Sequence, residues 1–329
     1  MADSKTVLRK APTRREFVAL GVGALVVASV PWSSRRRLPA QRTVPMMGTV
    51  ADFAVVHRDV RYGQAAITAA ISRLRMVETV MTRHQPSSDV GRANRLAAHD
   101  GVLVTPETAA VLEAALVWAA RTAGAFDPAL GGAIELWDVE HRSTPPAGES
   151  VRRFAGRGLY RGLDVSAWRG RPAVRFTQPD LGLDLGGIAK GYGVDQAVAV
   201  LRDWGITDAL VNVGGDLYAM GRSADGGPWR VGVRSPDRAD RLVAEFDLED
   251  AAVATSGDYL QYFDYHGRRY HHLLDPETAE PRVSAMRSLT VRAADCMTAD
   301  AAATAAFGRQ PAAARGWLEP VGVRIVHSV

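Results

Sequence analysis

The chain has 329 residues, 47% of them hydrophobic and 23% charged, enough for one large or two small globular cores. Its formal charge of +4 is unevenly spread: residues 1–42 hold nine Lys/Arg against Asp3 and Glu16, which leaves the remainder at −3. A body of that sign argues against a nucleic-acid-binding role, which needs a basic face to displace counterions.

The basic start has its own explanation. In "TRREFVALGVGALVVASV", Arg14-Arg15 precede an uncharged stretch from Phe17 to Val30. As a helix those residues would rise about 21 Å, short of the roughly 30 Å hydrocarbon core of a bilayer. A charged start and a short apolar run read as a targeting segment over residues 1–30, and the paired arginines point to the twin-arginine export route. Both cleavage and retention as a membrane anchor stay open, because no clean Ala-x-Ala follows and Arg35-Arg36-Arg37 lie just beyond. Cys296 is the only cysteine, so there is no intrachain disulfide and no lipid-acceptor cysteine; it reads as a buried small hydrophobe.

Residues 31–43, rich in Pro, Ser and Arg, are expected to be a linker, with a single folded domain over 44–329. "TVADFAVV" alternates as a strand with Ala51, Phe53 and Val55 on one face. A long helix is expected over Gln64–Met81, and another with Thr105 as N-cap, Pro106 in its first turn and Gly124 closing it. Residues 141–150 are a loop and 151–180 are polar and Arg-rich. A helix from Ile188 to Gly205 leads into the strands "ALVNV", "WRVGV", "LVAEFDL" and "AAVAT", then a hairpin turning at His266-Gly267. The strand "SLTVRA", the helix "MTADAAATAAFG" and the strand "VGVRIV" complete the chain. Early helices and a strand-rich second half imply an α+β fold rather than regular βαβ winding.

The most informative stretch is "LDLGGIAKGYGVDQAVAV", Leu183–Val200. It fits neither a Walker phosphate loop nor a dinucleotide Gly-x-Gly-x-x-Gly, because Gly186-Gly187 stand too close to Lys190 and Gln196 occupies the third glycine position. What remains is general physics: glycines let a ligand approach the backbone, a helix N-terminus offers free N–H groups to an anion, and Lys190 adds a cation. Asp184 would repel a bare phosphate, so it fits a ligand with a heterocycle or hydroxyl to donate, or a metal shell. A second carboxylate, Asp300, shares a helix face with Thr304 among alanines. One acid and one hydroxyl are too few for calcium but suit Mg²⁺, which borrows oxygens from substrate phosphates. His271 and His272 lie on one strand and point to opposite faces, so at most one serves a given site; no spacing supports zinc.

Taken in order, "MMGT", "QPSSDVGRAN", "GAFDPALG", "LDLGGIAKGYGVDQA", "NVGGDLYAMG", "AVATSGDY", "HHLLDPETAEP" and "ADAAATAAF" resemble the ApbE family of FAD:protein FMN transferases, over Met46–Phe307. The resemblance implies an ApbE-like (T-fold-like) domain of mixed, mainly antiparallel sheets with packed helices. It implies FAD as substrate and Mg²⁺ at its pyrophosphate, with Gly187 (Ala189 the alternative), Asp300 and Thr304 as metal ligands. Met47, His84, Ala125, Phe126, Asp127, Asp184, Lys190 and Leu274 would line the flavin or adenine, with His84 standing where relatives often carry tyrosine. Thr278-Ala279 replaces the usual Thr-Gly and removes an easy positive φ.

On that resemblance the expected reaction moves FMN onto a Thr or Ser hydroxyl of an exported acceptor protein and releases AMP. Lys190 and the metal would neutralise developing charge, and His272, helped by Asp275, would be the base. Two alternatives remain: an Mg²⁺-dependent FAD pyrophosphatase using the same site and giving FMN and AMP, and a non-catalytic exported flavin-binding protein. The Asp300/Thr304 pair argues against the latter.

Overall fold

A computed structural model describes residues 25–27 and 39–329, apart from 157, 179 and 239. Arg14-Arg15 and most of the apolar run behind the export expectation lie outside the described residues; Leu25–Val27 (β1) is a short strand on the edge of a small sheet.

The domain begins earlier than the composition implied. Ala40–Met46 (β2) and Thr49–Val55 (β3) form a hairpin, so the last residues of the expected linker belong to the fold. Its turn residues, Met47 and Gly48, both have positive φ (51° and 68°), as a two-residue hairpin with the sheet's twist requires. Ala51, Phe53 and Val55 are buried on one face, as the alternation predicts.

Helix α1 spans Val60–Met81, four residues earlier than periodicity placed its start, because Asp59 caps it by accepting from the Arg61 and Tyr62 N–H groups. Asp89–Leu96 (α2) is capped by Ser88, and after the short strand Val102–Leu103 (β4), Thr105 caps Pro106–Arg121 (α3). Gly131–Trp137 (α4) and Gly148–Arg152 (α5) follow. The polar, Arg-rich stretch then holds a hairpin of Leu163–Trp168 (β5) and Arg171–Phe176 (β6), which joins β4 in a three-stranded sheet.

The second half supplies Ala189–Asp203 (α6), Ala209–Val213 (β7), Asp216–Met220 (β8), Trp229–Arg234 (β9), Leu242–Leu248 (β10) and Ala251–Gly257 (β11). Tyr262–Tyr265 (β12) and Arg268–His271 (β13) make the expected hairpin, with φ of 48° at His266 and 76° at Gly267. Leu274–Asp275 (β14) pairs with Glu280–Pro281 (β15), and Ser288–Ala293 (β16), Cys296–Ala306 (α7), Pro311–Leu318 (α8) and Arg324–Ser328 (β17) end the chain.

The centre is an antiparallel seven-stranded sheet in the order β17-β16-β11-β8-β7-β3-β2. Helices α1, α6 and α7 cover one face, with α6 packed between the other two. Trp229, Val231, Val233 and Leu248 of β9 and β10 cover the other, against Leu210, Leu217, Ala219 and Val253. Strands β7, β8 and β11 are therefore buried along their whole length, including the polar Asn212, Asp216, Thr255 and Ser256.

Two glycines set the position of α6. Residues 191 and 193 lie about 200° apart around a helix, so they serve opposite flanks. A Cβ on Gly193 would stand 2.5 Å from Leu74 Cδ1 of α1, and one on Gly191 would stand 2.2 Å from the Cys296 carbonyl oxygen of α7. The "KGYG" sequence thus lets α6 lie close to both neighbours, and this brings its first turn beside α7.

Candidate active site

A cleft of about 970 Å³ opens where the N-terminus of α6, the inner face of α7 and the β2–β3 turn converge. It lies at the upper end of ordinary ligand cavities, roughly 300–1,000 Å³. Met47, His84, Ala125, Phe126, Asp127, Asp184, Gly187, Ala189, Lys190, His272, Leu274, Asp300 and Thr304 all line it. Segments more than 250 residues apart in sequence, Met47 and Thr304 among them, meet there.

The glycine corner is shaped by the carboxylate ahead of it. Asp184 Oδ1 accepts from the Gly186 N–H at 2.8 Å, and Oδ2 pairs with Arg83 Nε at 2.9 Å. Asp184 borders the cleft as expected, but it already holds a backbone donor and a guanidinium. Sequence spacing did not point to Arg83.

Gly187 then faces Thr304 directly: a Cβ built on it would lie 2.8 Å from Thr304 Cγ2 and 2.9 Å from Oγ1. The glycine corner and the α7 face are thus in contact. Helical threonines commonly return their hydroxyl to the carbonyl four residues back, as Thr122 does to Trp118 at 2.8 Å. Thr304 Oγ1 makes no such bond among the described residues and is turned to the cleft.

Lys190, in the uncapped first turn of α6, is held between two carboxylates. Its Nζ pairs with Asp216 Oδ2 and lies 3.2 Å from each oxygen of Asp300, whose Oδ2 also accepts from the Gly191 N–H at 3.0 Å. Burial alone would lower the pKa of the ammonium, but Asp216 and Asp300 outweigh it and raise it above the ordinary value. Asp216 is pushed up to about 7, by burial first and Asp300 second, against the pull of Lys190. Asp216 belongs to the quoted "NVGGDLYAMG" stretch, yet nothing in its spacing marked it as a partner of Lys190.

Asp195 of α6 reaches across to cap α7, accepting from the Cys296 and Met297 N–H groups at 2.8 Å each, while Asp295 accepts from Thr298 N–H at 2.8 Å. The start of α7, and with it the register of Asp300, is fixed by these two carboxylates. Cys296 is fully buried there, as expected, and burial raises its pKa.

The two histidines do separate, but not by strand alternation: β13 ends at His271, and His272 lies in the bend just beyond it. His271 is buried and structural: its Nε2 donates to the Arg282 carbonyl at 3.0 Å, and its Nδ1 accepts from Leu273 N–H at 3.2 Å. His272 borders the cleft, with Nδ1 3.4 Å from the Gln261 carbonyl. Burial, then the neighbouring His271, lowers its pKa to about 4, so it is neutral near pH 7. With Nδ1 carrying the hydrogen toward Gln261, the lone pair is on Nε2.

Asp275 corrects the expectation that it assists His272. It does not line the cleft; its Oδ1 accepts from Arg309 Nη2 and from the Glu277 N–H, both at 3.0 Å. The Asp-Pro turn aims the carboxylate at α8's approach rather than at the histidine. The following turn keeps its left-handed residue without glycine: Ala279 has φ 55°, is fully buried, and its carbonyl accepts from Trp137 Nε1 at 2.7 Å.

Arg282, which the sequence did not single out, ties three site segments together. Its buried guanidinium donates to the carbonyls of Leu274 (3.1 Å), Ala125 (2.6 Å), Thr304 (2.7 Å), Ala305 (3.3 Å) and Phe307 (2.7 Å). Burial, then the nearby Arg309, lowers its pKa to about 9; the cation sits at the C-terminal carbonyls of α7, where a helix favours positive charge. Asp127 fixes the neighbouring loop by accepting from the Ala129 and Tyr160 N–H groups at 2.9 and 3.2 Å, and burial raises it to about 6.

Among the described residues no group of three or more His, Cys, Asp or Glu side chains is gathered as a metal cage. What the cleft does offer is a hard-oxygen set of one carboxylate (Asp300), one unengaged hydroxyl (Thr304) and the glycine-corner backbone. Such a set leaves most positions of an octahedral ion to water and phosphate.

A sequence model of the ApbE family matches residues 47–326. A protein of Vibrio cholerae named FAD:protein FMN transferase is 31% identical over 262 residues, covering 79% of this chain and 78% of its own length. A Treponema pallidum protein of the same name is 34% identical over 256 residues, covering 74% and 71%. The crystal structure of an ApbE protein from Thermotoga maritima superposes with a TM-score of 0.79 at 29% identity, covering 88% of this chain and 94% of that one.

Proposed function

Because this chain belongs to the ApbE family, we propose that the cleft around Lys190, Asp300 and Thr304 is where it works as an FAD:protein FMN transferase. The observation that carries this assignment is the meeting of the glycine corner with the α7 face: Gly187 against Thr304, and Lys190 against Asp300. The uncapped α6 N-terminus and Lys190 supply the positive end that a pyrophosphate needs, and the apolar Met47, Phe126 and Leu274 supply a wall for a flat ring system.

In the reaction, a threonine or serine hydroxyl of the acceptor protein attacks the flavin-side phosphorus of FAD. A new P–O bond forms, the bridging P–O bond breaks, and its electron pair leaves with AMP. Neutral His272 takes the hydroxyl proton on Nε2; a positioned base contributes about 10²–10⁴-fold. Lys190 and the α6 amides stabilise charge on the transferring phosphoryl group, which asks mainly for positioning and electrostatics. Mg²⁺ fits the oxygen set of Asp300, Thr304 Oγ1 and the Gly187 or Ala189 carbonyl, and when bound it would neutralise phosphate oxygens. Export by the twin-arginine route, resting on Arg14-Arg15 and the short apolar run after them, would put the enzyme and its acceptor outside the cytoplasm.

Incubating the protein with FAD, Mg²⁺ and a candidate acceptor tests the assignment. A fluorescent acceptor band on a denaturing gel is expected. Free FMN with no labelled protein would replace transfer by hydrolysis, and intact FAD would leave only a binding protein.

A further inference from the structure

Lys190 and Asp300 line the cleft, and Asp216, which does not line it, pairs with the same ammonium; both carboxylates are buried. The ammonium does not sit midway. Its short contact is with Asp216 Oδ2, whereas both Asp300 oxygens lie 3.2 Å away. That exceeds the 2.7–2.9 Å usual for a charged N–H···O bond. Asp216 can hold this position because it opens β8 straight after Gly214 and Gly215 (φ 63° and 104°), a turn tied by Gly215 N–H to Asn212 Oδ1 at 3.1 Å.

We infer that Asp216 is a positioning residue that draws the Lys190 ammonium off Asp300 and so leaves Asp300 free to take a divalent cation. The inference rests on the assignment of Asp300 and Thr304 as metal-binding groups. The physical reason is competition. An ammonium and a divalent cation repel each other and seek the same carboxylate oxygens. With Asp300 as its only anionic partner, Lys190 would close to full contact and occupy them. With Asp216 beside it, the lysine stays anchored and still faces the space where a pyrophosphate would lie. Asp216 thereby acts on the metal through Lys190 rather than as a ligand.

The inference is tested by titrating Mn²⁺, followed by its EPR signal and displaced with Mg²⁺, into the metal-free full-length protein, its Asp216→Asn variant and the Asp216→Asn/Lys190→Met double variant. Circular dichroism of each shows whether it is folded. Crystals of metal-free Asp216→Asn give the position of Nζ. Affinity is expected to fall at least about tenfold in Asp216→Asn, close to 1.4 kcal/mol, and to return in the double variant, with Nζ moved onto Asp300 in the single one. An affinity still low in a folded double variant would make Asp216 a ligand and overturn the inference. Recovery without movement of Nζ would reduce the effect to net charge and overturn it as well. Absence of Mn²⁺ binding by the wild type would instead remove the metal assignment itself, and the inference with it.

Discussion

Replacing Gly191 with alanine tests the contact that brings α6 to α7. The new Cβ would stand 2.2 Å from the Cys296 carbonyl oxygen, 2.6 Å from its carbon and 2.8 Å from Met297 Cα. All three atoms are α7 backbone, so no side-chain rotation relieves the clash. A close carbon–oxygen contact is about 3.3 Å, so the helices must part by roughly 1 Å. Overpacking of this kind costs about 1–3 kcal/mol. At about 2–4 °C per kcal/mol for a domain of 150–250 residues, the melting temperature should fall by roughly 2–12 °C. The same shift stretches the Gly191 N–H bond to Asp300 and the Lys190 contact, and a displacement of about 1 Å in a reacting site can cost about 10²-fold in rate. Differential scanning fluorimetry and flavin labelling of the acceptor, assayed well below the melting temperature, read the two effects separately. Wild-type stability and rate together would show that the helices do not touch at Gly191. A lowered melting temperature with an unchanged rate would show that the contact supports the fold and not the site.

Three further outcomes are expected. His272→Gln should lower transfer about 10²–10⁴-fold, the contribution of a general base. It should also remove a pH dependence of stability: the folded pKa of about 4 lies below the ordinary 6.5. The wild type therefore keeps the full contribution of neutral His272 above about pH 6.5 and loses up to roughly 3 kcal/mol as pH falls toward 4, which urea unfolding at pH 5 and 7.5 would measure in both proteins. Arg282→Met leaves five carbonyls short of a donor and should destabilise the domain by about 3–5 kcal/mol, as loss of a buried cation's partners does; unchanged denaturant midpoints would contradict the clamp. Asp275→Asn breaks only the contact with Arg309 and should cost about 1 kcal/mol or less and change the rate by less than about threefold, far below the loss a catalytic base gives; a hundredfold loss of transfer would restore Asp275 to the site.

The elements that sequence made plain are those whose signals are local. Thr105-Pro106 announces α3, the alternation of Ala51, Phe53 and Val55 gives β3 its buried face, and His266-Gly267 marks a hairpin turn through its positive φ values. The β5–β6 hairpin carries apolar residues at alternate positions (Leu163, Val165, Ala167; Val174, Phe176), but its strands are short, Pro172 interrupts one, and they sit within a longer Arg-rich stretch whose overall polarity masks them. In the site, the candidate residues named individually do border one cleft, Asp275 excepted. What spacing could not convey was direction and partner. The pairing of Lys190 with Asp216 depends on a turn in another strand, Asp195 caps a helix 101 positions away, and Arg282 reaches carbonyls from three segments. The first two depend on where α6 packs between α1 and α7, which rests on the two glycines flanking Tyr192.

The central claim is that this cleft moves FMN from FAD onto a protein hydroxyl using Asp300. Mass spectrometry of flavoproteins from cells carrying the intact chain or its Asp300→Ala variant addresses it most directly. A threonine or serine bearing FMN is expected with the intact chain and should vanish with the variant, although the variant accumulates as a folded protein. Equal FMN occupancy in both would contradict the account.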